Sequence, residues 1–333
     1  MTSLLQHTLE KADHILVVTH VDPDGDAIGS LTAVGQALQQ LGLRATLACD
    51  DHVPDRFSYL PLSAQVQRKL ESSSSYDLVV AVDCADELRM GYIFADLPDP
   101  KPFIINIDHH VTNTRFGDIN LIEPGTMSTA EVLHGLFGEL GIVIDEGIAA
   151  SLLTGLITDT GGFRHVGVSA STLRTAADLV DAGADLGFVT MQALNLRAFS
   201  TMKLWRIGMD KMQLEDGLIW TAITNQERQA AQFRSSSSVG LTNLLADVEE
   251  AVMAAVLMEA PDGSVKVSLR CRPPYEVADI AVSLGGGGHP LAAGCTLSGP
   301  LADAESTIVE ACKAAIQRQA ELDTSAATPV TLS

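Results

Sequence analysis

Ile15-Leu16-Val17-Val18-Thr19-His20-Val21-Asp22-Pro23-Asp24-Gly25-Asp26 decides how the chain is to be read. Its four leading apolar residues have the length of a buried strand, and Leu31 to Leu38 carry apolar residues at helical spacing. A strand-to-helix turn therefore holds one imidazole and three carboxylates. In an open α/β sheet such turns lie at the carboxyl ends of the strands, where ligands bind. A turn that merely caps a helix is the competing reading, since Asp, Pro and Gly all favour one. The other strands decide between them.

Tyr76 to Asp83 repeats the pattern, an apolar run ending in an aspartate, and Phe103 to His110 repeats it again, ending in Asp108-His109-His110. Three near-continuous apolar strands with acidic or imidazole groups at their ends predict a parallel sheet with a site along one rim. A fourth acidic turn, Asp159-Thr160-Gly161-Gly162, follows a helix expected over Gly147 to Thr158. Ser128-Thr129-Ala130-Glu131 has the spacing of a capping box that opens another helix. Beyond residue 212 the spacing predicts strands over Gly217–Thr224 and Ser264–Arg270, a helix over Leu241–Met258 and a last helix over Ala302–Ala320. The expected fold class is α/β: a parallel-sheet domain (1–190), a helical linker (191–212), a smaller mixed α/β domain (213–322) and a disordered tail (323–333), with the site in the cleft between the domains. Glu71-Ser72-Ser73-Ser74-Ser75 reads as an exposed connection.

Bulk properties narrow the function. The 333 residues include 42 acidic and 21 basic ones, a net charge of −21. That balance opposes binding of long single-stranded or duplex nucleic acid, whose affinity rests on many Lys and Arg contacts to phosphate. An anionic ligand has to be short, or held by metal ions and a few arginines. No apolar run is long enough to span a membrane, and the N-terminus lacks a basic segment followed by an apolar one, so a cytoplasmic location is expected and no membrane partner. The five cysteines form no C-x-x-C pair and read as free, buried thiols.

Collected, the turn residues are His20, Asp24, Asp26, Asp83, His109 and Asp159, with Asp108 and His110 set aside. Four carboxylates and two imidazoles suit two six-coordinate divalent ions, provided that one carboxylate bridges and water completes each shell. An oxygen-rich set with one imidazole per ion points to two Mn²⁺ ions, with Mg²⁺ or Co²⁺ as substitutes. Such a pair activates water and neutralises a phosphoryl group, so phosphoester or phosphoanhydride hydrolysis is the expected chemistry.

At this point the sequence resembles the DHH phosphoesterase superfamily, in the ordered motifs His20-x-x-x-Asp24-x-Asp26, Asp83, Asp108-His109-His110 and Asp159. Gly285-Gly286-Gly287-Gly288-His289 with Ala292-Ala293-Gly294 is similar to the Gly-rich domain associated with it. Within the superfamily the chain most resembles the nanoRNase/pAp-phosphatase group. The resemblance implies that His20, Asp24 and Asp83 hold one ion and Asp26, Asp83, His109 and Asp159 the other. It also implies that His110 contacts the scissile phosphate or protonates the leaving oxygen, while Asp108 orients a histidine. Four glycines let backbone N–H groups approach a phosphate, and a helix beginning nearby would add its positive end. Ser268, Arg270, Gly286, Gly287, Gly288 and His289 are the expected substrate contacts, with Arg115 and Arg164 as further phosphate candidates. The remaining histidines, His7, His14, His52, His134 and His165, read as surface or packing residues. The family's Ser-x-Arg-Ser stands here as Ser268-Leu269-Arg270-Cys271, which puts fine substrate preference in question.

The expected substrates are very short RNA or DNA oligonucleotides, about two to five nucleotides long, and 3′-phosphoadenosine 5′-phosphate (pAp). A homodimer is the one protein partner entertained. Three rival functions use the same residues: a cyclic-dinucleotide or pApA phosphodiesterase, a RecJ-like single-strand exonuclease, and a nucleotide-binding module without catalysis. A processive exonuclease calls for a basic groove with stacking aromatics, and this chain is 5% aromatic.

Overall fold

The computed structural model describes residues 2–70, 75–233, 238 and 240–326. Two compact units divide the chain, Met1–Leu196 and Arg197–Ser333. In the first, α1 (Thr2–Lys11), β1 (Ile15–Val18), α2 (Gly25–Gln40), β2 (Ala45–Ala48), β3 (Leu78–Val82), α3 (Gly91–Ala95), β4 (Phe103–Asp108) and β5 (Ile119–Ile122) precede four helices. These are α4 (Thr129–Leu140), α5 (Glu146–Asp159), α6 (Ala170–Asp181) and α7 (Leu186–Thr190). The strands form one parallel sheet in the order β2-β1-β3-β4-β5.

Both faces of this sheet are covered, which is why its strands are mostly apolar, with Asn106 as a buried polar exception within β4. Ile15 and Val17 face one cluster with Val80, Ile105 and the inner sides of α2, α4 and α5. Leu16 and Val18 face the other, with Val79, Ile104, Met90 and Ile93. After β2 the chain crosses behind β1 to form β3, so the strand order reverses between β1 and β3. Such a reversal opens a crevice at the carboxyl ends of the two strands. Thr19 to Asp26 leave β1 there and Asp83 leaves β3.

Glycines bring α2 and α5 together. A Cβ at Gly29 would collide with the Ser151 carbonyl, one at Gly155 with the Asp26 carboxylate, and one at Gly25 with the Thr158 side chain. The close approach lays the C-terminal end of α5 alongside the first turn of α2, so Asp159 arrives from a helix end and not from a strand.

The second unit contains α8 (Phe199–Lys211), β6 (Gln213–Glu215), β7 (Leu218–Ile223), α9 (Asn225–Ala230), α10 (Leu241–Ala246), β8 (Met253–Glu259), β9 (Ser264–Cys271), α11 (Ala278–Ser283), β10 (Gly287–His289), β11 (Ala292–Ser298) and α12 (Leu301–Ala326). Its mixed sheet runs β10-β11-β9-β8-β7-β6, with β7 and β8 parallel and the other pairs antiparallel. The helix expected over Leu241–Met258 is corrected: it ends at Ala246, and Met253–Glu259 is the strand β8. Met253, Ala255 and Leu257 enter the core under α12, while Ala254, Val256 and Met258 enter the core under α8 and α10. A strand buried on both faces has no period to separate it from a buried helix, and Ala and Met bias the reading toward helix. β5, β6, β10 and β11 carry no signal that the sequence reading detected. The helical linker expected over 191–212 is two pieces, a π-helical turn at Met191–Asn195 that continues from α7, and α8. At the C-terminus α12 continues to Ala326 where disorder was expected from Asp323; residues 327–333, like 71–74 of the serine-rich connection, lie outside the described residues.

All five cysteines are free and buried. Burial pushes the Cys49 and Cys312 thiols up to about 12 and Cys271 up to about 11, and it raises Cys84 and Cys295 as well. Thiolate, not thiol, is the reactive form. The native chain should therefore react negligibly with a thiol-exchange reagent at pH 8, and titrate five thiols after unfolding; rapid native reaction of even one would contradict this packing.

Candidate metal centre

Thr19 ends the buried strand and His20 turns inward, with Nδ1 2.7 Å from the Val21 carbonyl oxygen. A carbonyl only accepts, so Nδ1 carries a proton and Nε2 is the nitrogen that faces the crevice, available as a ligand once its own proton is lost. Arg89 Nη2 lies 3.3 Å from the same Nδ1, a close approach and not a second bond. Asp24 caps α2, its Oδ1 accepting the Asp26 and Ala27 N–H groups at 3.0 Å. Asp22 takes a left-handed conformation and gives its N–H to Asp51.

Asp26 is fully buried in the first turn of α2. Its Oδ2 accepts the Thr129 N–H at 2.6 Å and its Oδ1 the Ala130 N–H at 3.0 Å, so the carboxylate sits on the positive end of α4. Ser128 caps α4, as the spacing predicted, but Glu131 reaches back to the N–H of Met127 and not of Ser128.

Asp83 follows β3 with φ +59°, a conformation that costs a non-glycine residue about 1–3 kcal/mol. The turn points its carboxylate back into the crevice. Oδ2 lies 3.4 Å from His20 Nε2, and Oδ1 lies 3.7 Å from both His109 Nε2 and His110 Nδ1. The Thr129 hydroxyl donates to Oδ1 at 2.9 Å. His109 Nε2 is also 3.2 Å from Asp159 Oδ2, close enough for charge attraction but without hydrogen-bond alignment; the nitrogen is buried with no hydrogen-bond partner. His110 Nδ1 donates to Asp108 Oδ1 at 2.7 Å. The other Asp108 oxygen accepts from Asn113 Nδ2 at 2.6 Å.

The structure thus gathers three overlapping groups: His20, Asp24 and Asp83; Asp26, His109 and Asp159; and Asp83, Asp108, His109 and His110. Within each group one ligand atom per residue lies within 4.8 Å of the others. The charges show how crowded they are. Burial, then the charges of Asp83 and Asp159, raise the Asp26 pKa well above the carboxylate range. Burial also lifts Asp159 to about 6, His109 opposing it and Asp24 and Asp83 adding to it. Burial acts against the His20 and His109 cations. Asp83 and Asp24 outweigh it at His20, which reaches about 9; Asp159, Asp26 and Asp83 outweigh it at His109, which reaches about 10. Asp83, unlike Asp26 and Asp159, is held below its ordinary value, because the bond to His20 and the three histidine charges overcome its burial. A cation removes the repulsion and supplies the partner that His109 Nε2 lacks. The donor set, carboxylate oxygens with imidazole nitrogens, fits divalent Mn, Mg or Co. Cys49 and Cys84 are close by but keep their protons, so no thiolate competes.

Sequence reading missed four residues around this centre. Thr129 was read as part of a cap, and Asn113 and Arg89 carry no motif signal. His165, read as a surface or packing residue, bonds the Asp159 carbonyl through Nδ1 at 2.6 Å and so braces the fourth turn. Of the two expected phosphate arginines, Arg115 takes φ +57° with its N–H on Asn113, and Arg164 Nε donates to the Gly161 carbonyl.

In the second unit, Ser268 and Arg270 share one face of β9, and Cys271 points the other way, its Sγ donating to the Tyr275 carbonyl at 2.9 Å. The departure from the family's serine therefore lies in the core and not beside Arg270. Gly286 and Gly288 approach β11 too closely for a Cβ, against Gly294 and Ala292. Gly285, Gly286, Gly287, Gly288 and His289 are exposed. The expected helix beginning at the glycines is corrected: α11 ends there, and the Gly285 and Gly286 N–H groups are taken by the Val282 and Ala281 carbonyls. The run bends the chain from a helix C-terminus into the edge strand β10, and a helix dipole of the opposite sign faces it.

Family models match both halves of the chain: the N-terminal domain of the DHH family over residues 14–156, and the DHHA1 domain over residues 221–319. The chain belongs to the DHH family. Among its relatives it is 35% identical over 306 residues to the bifunctional oligoribonuclease and PAP phosphatase NrnA of Thermus thermophilus, covering 91% of this chain and 90% of that one. It is 23% identical to the NrnA of Bacillus subtilis, covering 89% and 93%. The fold is shared with an exopolyphosphatase-related protein of Bacteroides fragilis, at a TM-score of 0.88, 23% identity and 96% of both chains.

Metal binding should be proton-linked. Because the His20 and His109 pKa values are raised to about 9 and about 10, both rings are protonated at pH 7 and must lose a proton to ligate. Mn²⁺ affinity is expected to rise with pH across 6–8, and calorimetry in buffers of different ionisation enthalpy should register proton release. An affinity independent of pH in that range would contradict these charge states.

Proposed function

We propose that this chain is a metal-dependent phosphoesterase that cleaves very short oligonucleotides to mononucleotides and dephosphorylates pAp, using two Mn²⁺ ions. The observation that carries the reading is the convergence of His20, Asp24, Asp26, His109 and Asp159 around one buried carboxylate, Asp83. It is supported by 35% identity over nine-tenths of the chain to a relative named for those two activities. His20, Asp24 and Asp83 would hold one ion and Asp26, Asp83, His109 and Asp159 the other. When bound, such ions supply activated water and neutralise charge on a phosphoryl group.

The chain's own residues supply the rest. Burial works against a His110 cation, but the bond to Asp108 and the charge of Asp83 overcome it, so its pKa is raised. His110 is then a proton donor toward the leaving oxygen, with Asp108 fixing which nitrogen carries the transferable proton. Ser268, Arg270, Gly286, Gly287, Gly288 and His289 form the substrate-holding surface, with Arg115 and Arg164 on the catalytic unit as further phosphate contacts. A chain with net charge −21 gains little from phosphates beyond the few it meets at these positions, which favours short substrates.

Hydrolysis of pApA, pAp, a 24-nucleotide single strand, a cyclic dinucleotide and pyrophosphate with Mn²⁺ tests this directly. Turnover of pApA and pAp is expected to exceed that of the others, and Asp83→Ala should reduce it to background. Preference for the long strand would replace the short-substrate reading, and metal binding without any hydrolysis would leave a nucleotide-binding module. Separately, Asn113→Ala should lower kcat by about 10–100-fold with Mn²⁺ affinity unchanged, because it releases Asp108 and hence His110; an unchanged kcat would remove His110 from the reaction.

A further inference from the structure

Arg270 lies on β9 between Ala292 of β11 and Ala254 of β8, so neither neighbouring strand offers it a side-chain partner. Its Nε donates to Asn243 Oδ1 of α10 at 2.9 Å, and its Nη1 to the Leu269 carbonyl at 2.8 Å. Both acceptors are neutral. Among the described residues no carboxylate pairs with Arg270, although acidic residues outnumber basic ones two to one. Burial lowers its pKa with no carboxylate to offset it. A guanidinium has five N–H donors, and two are used here.

We propose that Asn243 is a positioning residue that fixes Arg270 through a neutral acceptor, leaving the full charge and the remaining N–H groups for a terminal phosphate of a nucleotide. An aspartate at 243 would hold Nε in the same place and more strongly, but it would cancel the charge that a phosphate needs. The amide fixes direction without neutralising. On the same face stand Ser268 and, directly opposite on β11, Ala292 and Gly294, so no large side chain from these positions covers the guanidinium. This deepens the function proposed above and rests on it for the identity of the substrate.

The test compares the full-length, Mn²⁺-loaded wild type with Asn243→Asp and Asn243→Ala on two dinucleotides, pApA and ApA, the second lacking the terminal phosphate. Asn243→Asp should raise the KM for pApA about tenfold or more, leave kcat within about twofold, leave ApA kinetics unaffected and not lower the Tm. Asn243→Ala should raise the same KM by releasing the guanidinium, with Asp giving no rescue. A residue that only ties α10 to β9 predicts the opposite, namely a KM that Asp restores. That result, or equal shifts for pApA and ApA, overturns the proposal. Should the wild type hydrolyse neither dinucleotide, the hydrolase reading fails, and calorimetric binding of 5′-AMP decides the present one: weaker binding to Asn243→Asp supports it, and equal or absent binding overturns it.

Discussion

Asp83 is buried, carries φ +59° and faces three imidazoles and a threonine hydroxyl. Those contacts come from three parts of the chain: His20 from the turn after β1, His109 and His110 from the end of β4, Thr129 from the start of α4. Its backbone, twisted into the left-handed region, returns the carboxylate over the strand ends, so the strain falls on the residue at the middle of the cluster. The same carboxylate keeps its negative charge while Asp26 and Asp159 are pushed toward neutrality. The geometry of the centre, and the attraction of a cation to it, both follow from where this one side chain is forced to point.

Helix packing completes the arrangement. Gly25, Gly29 and Gly155 let α2 and α5 meet with no side chain between them, which is what sets Asp159 beside Asp26. Asp26 in turn serves two purposes, since it offers oxygen atoms to the centre and accepts the first N–H groups of α4. A carboxylate has lone pairs enough for both. Loss of Asp26 would therefore disturb the helix that carries Thr129 as well as the ligand set.

The two units solve opposite electrostatic problems. The first crowds carboxylates together around buried imidazoles, whereas the second holds a cation, Arg270, with neutral partners and an alanine opposite it on each neighbouring strand. Cys271 illustrates how a motif can mislead. Its position invites comparison with Arg270, one residue away, but the pleat turns successive side chains to opposite faces and sends the thiol into the core.

The sequence by itself determined the parallel sheet and the acidic and imidazole groups along its rim, because strands covered on both faces are near-continuously apolar and ligands gather where such strands stop. It determined that five residues of metal-ligating type would recur at those stops, with Asp159 added from the turn after a helix. Tertiary structure alone decided how they divide among neighbours, that Asp108 serves His110 through a bond anchored by Asn113, and that the helix ending at Asp159 lies against the first turn of α2. It also decided that β8 is a strand, that the glycine run follows a helix C-terminus, and that Asn243 holds Arg270. None of these is a local property. Each depends on a backbone angle, a helix contact or a strand register linking residues far apart in the chain, and composition and spacing carry no record of such pairings.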